Sequence, residues 1–224
     1  MKTSTQAKHM ALGQLYTNEV TDPRILQAVL DVPREAFVPA NLKGSAYIDD
    51  NLPYGDGRFL LAPLTFSRLL SLANIAAHER VLVIGGMWGY GAAVITHLAS
   101  HVTLLELNGP PIDKAQALLK QYAGQPVDVV GVKNLAAGHA SGAPYDVILL
   151  EGAAEILPEA LGAQLGHEGR LLGIKAVAKR VGMQGGLGRG IIARRVGGKL
   201  QQHDMFDASA ALLPGFGAPP KFQL

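Results

Sequence analysis

Apolar positions along this chain fall into two kinds of run. Some are short and continuous, such as Val81–Ile84, which ends abruptly at Gly85. A run of that length with no polar alternation predicts a strand covered on both faces. His101–Leu107, Val127–Val130, Tyr145–Leu150 and Gly169–Ile174 read in the same way. Between them lie stretches of helix-forming composition: residues 92–99, Pro110 through Tyr122 with Gly124 as the stop, and Pro158–Leu165. Strands alternating with helices predict an α/β fold with a doubly wound, mostly parallel sheet. Two later runs, Gly190–Val196 and Lys199–Phe206, flank Gly197-Gly198 and predict an antiparallel hairpin closing the sheet edge.

The first sixty residues pattern differently. Thr21-Asp22-Pro23 supplies a capping side chain followed by proline, and Ile25, Leu26, Val29 and Leu30 then share one apolar face before Pro33 ends the helix. From Phe37 to Gly57 the content of Pro, Gly, Asn and Asp predicts loop, suited either to a substrate-facing cover or to a structural wrap. Pro63 opens a further helix carrying Leu64, Leu69, Leu70 and Leu72. The division this suggests is a helical and loop appendage over 1–60 and a sheet domain over 61–224.

Composition narrows the function classes. The 224 residues suffice for one well-buried domain, and 48% hydrophobic with 17% charged residues excludes a disordered chain. A net charge of +2 announces no polyanion partner. Without cysteine there is no disulfide, thiolate metal site or cysteine nucleophile. Residues 1–10 lack the apolar centre of a secretion signal, and no apolar run nears the ~20 residues that cross a bilayer, so a cytoplasmic protein is expected. The seven histidines form no ligand constellation, and no metal site is expected. Neither a Gly-x-Ser-x-Gly elbow nor a Gly-Lys-Ser/Thr loop occurs.

The candidate chemistry sits where the first buried run stops. Gly85, Gly86, Gly89 and Gly91 make a strand–turn–helix junction of the kind that sets backbone N–H groups against a nucleotide-like ligand. Such a turn can equally join strand to helix without a ligand. Met87 and Trp88 put two bulky side chains in the turn, where a small residue would be wanted at Met87. Glu106 ends the next strand about twenty residues on, where a carboxylate accepts hydrogen bonds from both ribose hydroxyls of an adenosine cofactor; the alternative is a solvated acid at a strand end. From Gly169 to His203 there are eight Lys or Arg and no acid, which reads either as charge blunting a sheet edge or as contacts to phosphate.

Taken together, Val32–Pro39, Ala46–Asp49, Leu52–Gly57, and Ile84-Gly85 through Gly89-Tyr90 resemble the protein-L-isoaspartate O-methyltransferases, over nearly the whole length and in a divergent bacterial form. The resemblance implies the seven-stranded Rossmann-like methyltransferase fold, S-adenosylmethionine as cofactor, and isoaspartyl protein or peptide as substrate, with neither nucleic acid nor membrane as partner. It assigns Gly85, Gly86, Gly89 and Tyr90 to the cofactor loop, Glu106 to the ribose, and Asn134 to the position of an adenine-side Asp.

The departures from that pattern are specific. Val83 stands where the family has an acid, Met87 and Trp88 replace small residues, and Leu61 takes the place of a substrate-side Ser. Methylating an ionised carboxylate needs no general base, only two reactants held together away from water. Arg58, whose planar fork can grip a carboxylate, is then the candidate for holding the substrate. Glu151, at the end of its strand, would repel an anionic substrate if it faced the site. A family member without catalysis that serves as a binding module, and a methyltransferase acting on RNA, are the other two readings.

Overall fold

A computed structural model describes residues 4–178 and 186–219. Its core is a seven-stranded sheet in the order β5-β4-β3-β6-β7-β8-β9. The strands are β3 (Arg80–Ile84), β4 (His101–Leu107), β5 (Val127–Val132), β6 (Tyr145–Ala154), β7 (Leu165–Ala178), β8 (Gly186–Val196) and β9 (Lys199–Ala210). β3 pairs in parallel with β4 on one side and β6 on the other, while β8 runs antiparallel to both its neighbours. The chain therefore reverses its winding direction at β3. Ligands of open α/β sheets bind in the crevice at the carboxyl ends of the strands at such a switch point.

The buried run of β3 shows why the sequence folds this way. Val81 and Val83 point into a core shared with the helices of one layer, and Leu82 and Ile84 into a second core on the opposite face. The first of these layers holds α2 (Pro23–Asp31), α3 (Pro63–Ala73), α4 (Tyr90–Ile95) and α5 (Pro110–Tyr122). Asp22 caps α2 by accepting from the Arg24 N–H at 2.8 Å, with Pro23 as its first residue, as the sequence predicts. The second layer includes the short α6 (Glu159–Gly162) and residues after β9.

Several expectations change in detail. The helix expected over 158–165 is only four residues long, because β7 starts early, at Leu165. α4 begins at Tyr90 and stops at Ile95, shorter at its end than expected. The stretch 37–57, read as loop, includes β1 (Leu52–Gly55), which pairs antiparallel with β2 (Arg58–Leu60). Residues 4–60 do not stand apart from the sheet: Met10, Leu15, Val29 and Phe37 share one core with Val81, Val83 and Leu149. That core also takes in helical turns unforeseen in the sequence, including α1 (Thr5–His9) capped by Ser4.

The basic segment does not form one surface. Arg170 is buried and staples the end of α3 to the sheet, donating to Glu79 at 2.5 Å and 2.9 Å and to the Asn74 carbonyl at 3.1 Å. Burial alone would raise the Glu79 carboxyl, but Arg170 and the Ala76 N–H hold it below its ordinary value. Arg189 pairs with Asp207, and Arg194, Arg195 and Lys199 are exposed near the β8–β9 turn. Lys179 and Arg180 lie outside the described residues.

Candidate active site

The glycine turn leaves β3 through Gly85, with φ +79°, and enters α4 through Gly89, with φ +87°. Both are conformations that glycine adopts without strain. Met87 lies between them at φ +49°, a left-handed backbone held by a residue with a side chain, so the preference for a small residue there has a backbone cause. Gly86 and Gly89 also allow close packing: a methyl group on either would fall within 2.9–3.2 Å of Leu104, and on Gly89 also of Leu119. Gly85 does face the crevice.

Glu106 is fully buried at the tip of β4. Oε1 accepts from the Leu107 N–H at 2.7 Å and Oε2 from the Met87 N–H at 2.8 Å, so turn and strand end both aim the carboxylate. The remaining acceptor sites are taken by Arg58. Its Nη1 donates to Oε1 at 3.1 Å and its Nη2 to Oε2 at 2.9 Å, while Nη2 also donates to the Gly85 carbonyl at 2.8 Å. The β1–β2 hairpin thus carries a two-pronged cation from outside the sheet onto the acid at its switch point. The expectation that Arg58 holds a substrate carboxylate meets a different arrangement, because its fork is already engaged by the protein's own Glu106.

From the other side the chain after β9 crosses the strand ends. The Ala153 N–H donates to the Ala211 carbonyl at 2.8 Å and the Leu213 N–H to the Ala153 carbonyl at 2.9 Å. Leu213 and Phe216 are buried in the second core. A methyl group built on Gly85 would fall 2.7 Å from Leu213 Cδ2 and 3.3 Å from Arg58 Nη2, so those two side chains lie directly over the glycine. The cavity bounded by Gly57, Arg58, Phe59, Leu61, Glu151, Gly152 and Ala211–Leu213 measures about 10 Å³. A far larger hollow of about 530 Å³, lined by residues such as Ser4, Asp31, Glu35 and Tyr122, lies over the N-terminal helices, away from Gly85.

The other residues expected at the site are placed as follows. Tyr90 opens α4 at the end of the glycine turn, and its ring packs in the core, edge-on to Phe37 at 5.7 Å and tilted against Phe66 at 5.7 Å, with the Arg34 guanidinium 4.9 Å above it. An aromatic ring in the first turn of a helix on the sheet face has nowhere drier to go. Asn134 caps a turn through the Ala136 N–H at 3.0 Å, and Gly215 lies against its Oδ1. Leu61 is buried and adds only apolar bulk, its carbonyl accepting from Arg34. Trp88 does not fill the crevice; it lies half-buried against Tyr54 at 5.1 Å, with Lys114 Nζ 5.3 Å from its ring.

A second carboxyl group at the strand ends received too little weight in the sequence. Glu151 on β6 is buried beneath α4, its Oε1 without a hydrogen-bond partner among the described residues, and burial pushes it up to about 7, with Arg34 pulling it back and Glu106 adding to the rise. Nothing in the local pattern marks it beyond its position at the end of a buried run.

A doubly wound sheet with a glycine turn at its switch point and an acid at the next strand tip is an arrangement suited to a nucleoside-containing ligand, and the seven-stranded sheet with its antiparallel end is that of the Rossmann-like methyltransferase fold. The chain belongs to the protein-L-isoaspartate(D-aspartate) O-methyltransferase family, whose sequence profile it matches over residues 6–180. It is 35% identical over 176 residues to protein-L-isoaspartate O-methyltransferase 1 of Rhodopseudomonas palustris, covering 75% of this chain and 69% of that one. It is 34% identical over 169 residues to the enzyme of Opitutus terrae, covering 75% and 72%. Among solved structures, one protein-L-isoaspartate O-methyltransferase superimposes with a TM-score of 0.79 at 21% identity, over 94% of this chain and 67% of the other. A Plasmodium falciparum structure assigned to the same enzymes and determined with S-adenosyl-L-homocysteine gives 0.76 at 17% identity, over 95% of this chain and all of that one.

The family implies S-adenosylmethionine, and the crevice tests that implication. The donor set is of the right kind, because Glu106 stands buried and oriented beside the glycine turn. Its acceptors, however, are taken within the chain: each Glu106 oxygen already accepts two hydrogen bonds, and Leu213 covers Gly85. In this arrangement of side chains a sugar hydroxyl reaches Glu106 only after Arg58 moves.

Proposed function

We propose that this chain acts as an S-adenosylmethionine-dependent carboxyl methyltransferase on isoaspartyl residues of proteins, in a conformation in which Glu106 has been released by Arg58. The observation that supports it most is Glu106 itself: an acid held by two backbone N–H groups at the tip of β4, beside the turn at the winding switch, in a chain whose family match spans 6–180. In this reading Glu106 accepts from the sugar hydroxyls, Gly85 lets the ligand approach the backbone, and Asn134 borders the base. The substrate side is carried by the β1–β2 hairpin and by Leu61, which offers no hydroxyl. Recognition of the isoaspartyl group then rests on backbone and on Arg58 once it is free.

The test is transfer of a labelled methyl group from saturating S-adenosylmethionine to an isoaspartyl peptide, with the aspartyl peptide as control. Base-labile label on the isoaspartyl peptide alone is the expected result. Absence of label with enzyme at the concentration of peptide contradicts the proposal.

A further inference from the structure

The crevice that marks the family is closed by the chain's own side chains, and the closure is built from two directions. Arg58 arrives on a hairpin whose turn, Gly55-Asp56-Gly57, runs through left-handed backbone at all three positions, with φ of +106°, +51° and +72°. The turn drives the next residue inward, and Arg58 is only 8% exposed despite following three exposed residues. Its two-pronged bond to Glu106 and its third contact to the Gly85 carbonyl use the full fork geometry of a guanidinium. Leu213 arrives on the segment after β9, fixed by main-chain bonds to Ala153 and by burial of Phe216. That segment lies beyond residue 180, where the family match ends.

Two features distinguish this from a side chain resting in an open cleft. Arg58 saturates the acceptors of Glu106 together with the two backbone donors, so a ligand hydroxyl can bond to Glu106 only by removing Arg58. Leu213 covers the glycine whose bare Cα would otherwise admit a ligand, and it belongs to the second core rather than to solvent.

We propose that Arg58, backed by Leu213, is an internal occupant of the cofactor crevice, so that an adenosyl ligand binds only by displacing the guanidinium from Glu106. This rests on the cofactor reading of Glu106 given above. Ligand affinity is then reduced by the fraction of molecules in which the pair is open, and removing the occupant restores it.

The test is equilibrium dialysis of labelled S-adenosyl-L-homocysteine against the wild-type chain, Arg58→Met and Leu213→Ala. Arg58→Met leaves Glu106 buried and unpaired, so Leu213→Ala, which keeps the ion pair, is measured beside it; circular dichroism shows which variants fold. The expected result is weak wild-type binding, tightened by about tenfold or more in Arg58→Met and by a smaller factor in Leu213→Ala. If Arg58→Met does not fold, Arg58→Lys, which keeps a charge but loses the two-pronged bond, takes its place, and tightening there carries the proposal. Equal, measurable affinity in the wild type and every folded variant overturns the occupant and leaves the methyltransferase reading intact. No binding by any of them overturns both.

Discussion

Two carboxyl groups flank β3 at the same end of the sheet and meet opposite fates. Glu106, on β4, is fully buried, and four donors converge on its two oxygens. Glu151, on β6, is 5% exposed, and its Oε1 has no partner among the described residues. Depth alone therefore decides little; what differs is what each strand tip faces. β4 ends beside the glycine turn and under the Arg58 hairpin, which supply backbone N–H groups and a cation. Glu151, three residues before the end of β6, lies beneath α4 against Gly86, Gly91 and Phe66, with Arg34 and Arg58 near enough to pull its carboxyl down without bonding to Oε1. A buried charge with hydrogen bonds to every acceptor is tolerated, whereas one without them shifts toward neutrality.

The largest effect expected from breaking this contrast is at the paired acid. Arg58→Met strands Glu106 and should lower unfolding free energy by about 3–5 kcal/mol in urea titration. Arg58→Met with Glu106→Gln should recover most of that loss, since the pair is replaced rather than halved. A single variant as stable as the wild type would show that the pair does not form. Next comes Gly91→Ala, whose new methyl would fall 1.7 Å from Glu151 Oε1 and 2.9 Å from Phe66 Cε2. It should cost about 1–3 kcal/mol, and part of that should return in a Glu151→Ala background.

Glu151→Gln sharpens the comparison through pH. Burial raises this carboxyl from 4.5 to about 7, so the folded state holds its proton more tightly than the unfolded chain. The resulting destabilisation is absent below about pH 4.5, grows as pH rises toward 7, and is complete above it. The variant should therefore melt higher than the wild type at pH 8.5 and level with it at pH 4. Equal melting at both values contradicts the assignment. The smallest effect belongs to an exposed pair: Arg189→Gln, which loses Asp207, should change stability by less than about 0.5 kcal/mol.

The parallel part of the sheet was legible in the sequence because its strands are built around short apolar runs closed by glycine or a polar residue. Val81–Ile84 and Tyr145–Leu150 are of this kind. Glu106 was legible for the same reason, since its distance from the glycine turn is set by one strand–helix–strand unit. The β1–β2 hairpin was not, because three- and four-residue strands rich in Gly and Pro carry no period, and their pairing is fixed by what they pack on. Arg58 was noticed for its chemistry, but its partner lies 48 residues away and is chosen by the fold. Leu213 gave no signal at all: a leucine after the last strand is ordinary until the chain turns back across the crevice. The direction of the Tyr90 ring, into the core against Phe37 and Phe66, was not legible either, because a motif position fixes a backbone site and not a ring.

The claim on which the account turns is that the Arg58 guanidinium is clamped on Glu106. Nitrogen-15 NMR of the arginine side chains reads this directly, with the Arg58 signals identified by their loss in Arg58→Lys. A clamped fork predicts separate, slowly exchanging Nη protons that move when S-adenosyl-L-homocysteine is added and vanish in Glu106→Gln. A single averaged, fast-exchanging signal, indifferent to both, would contradict it.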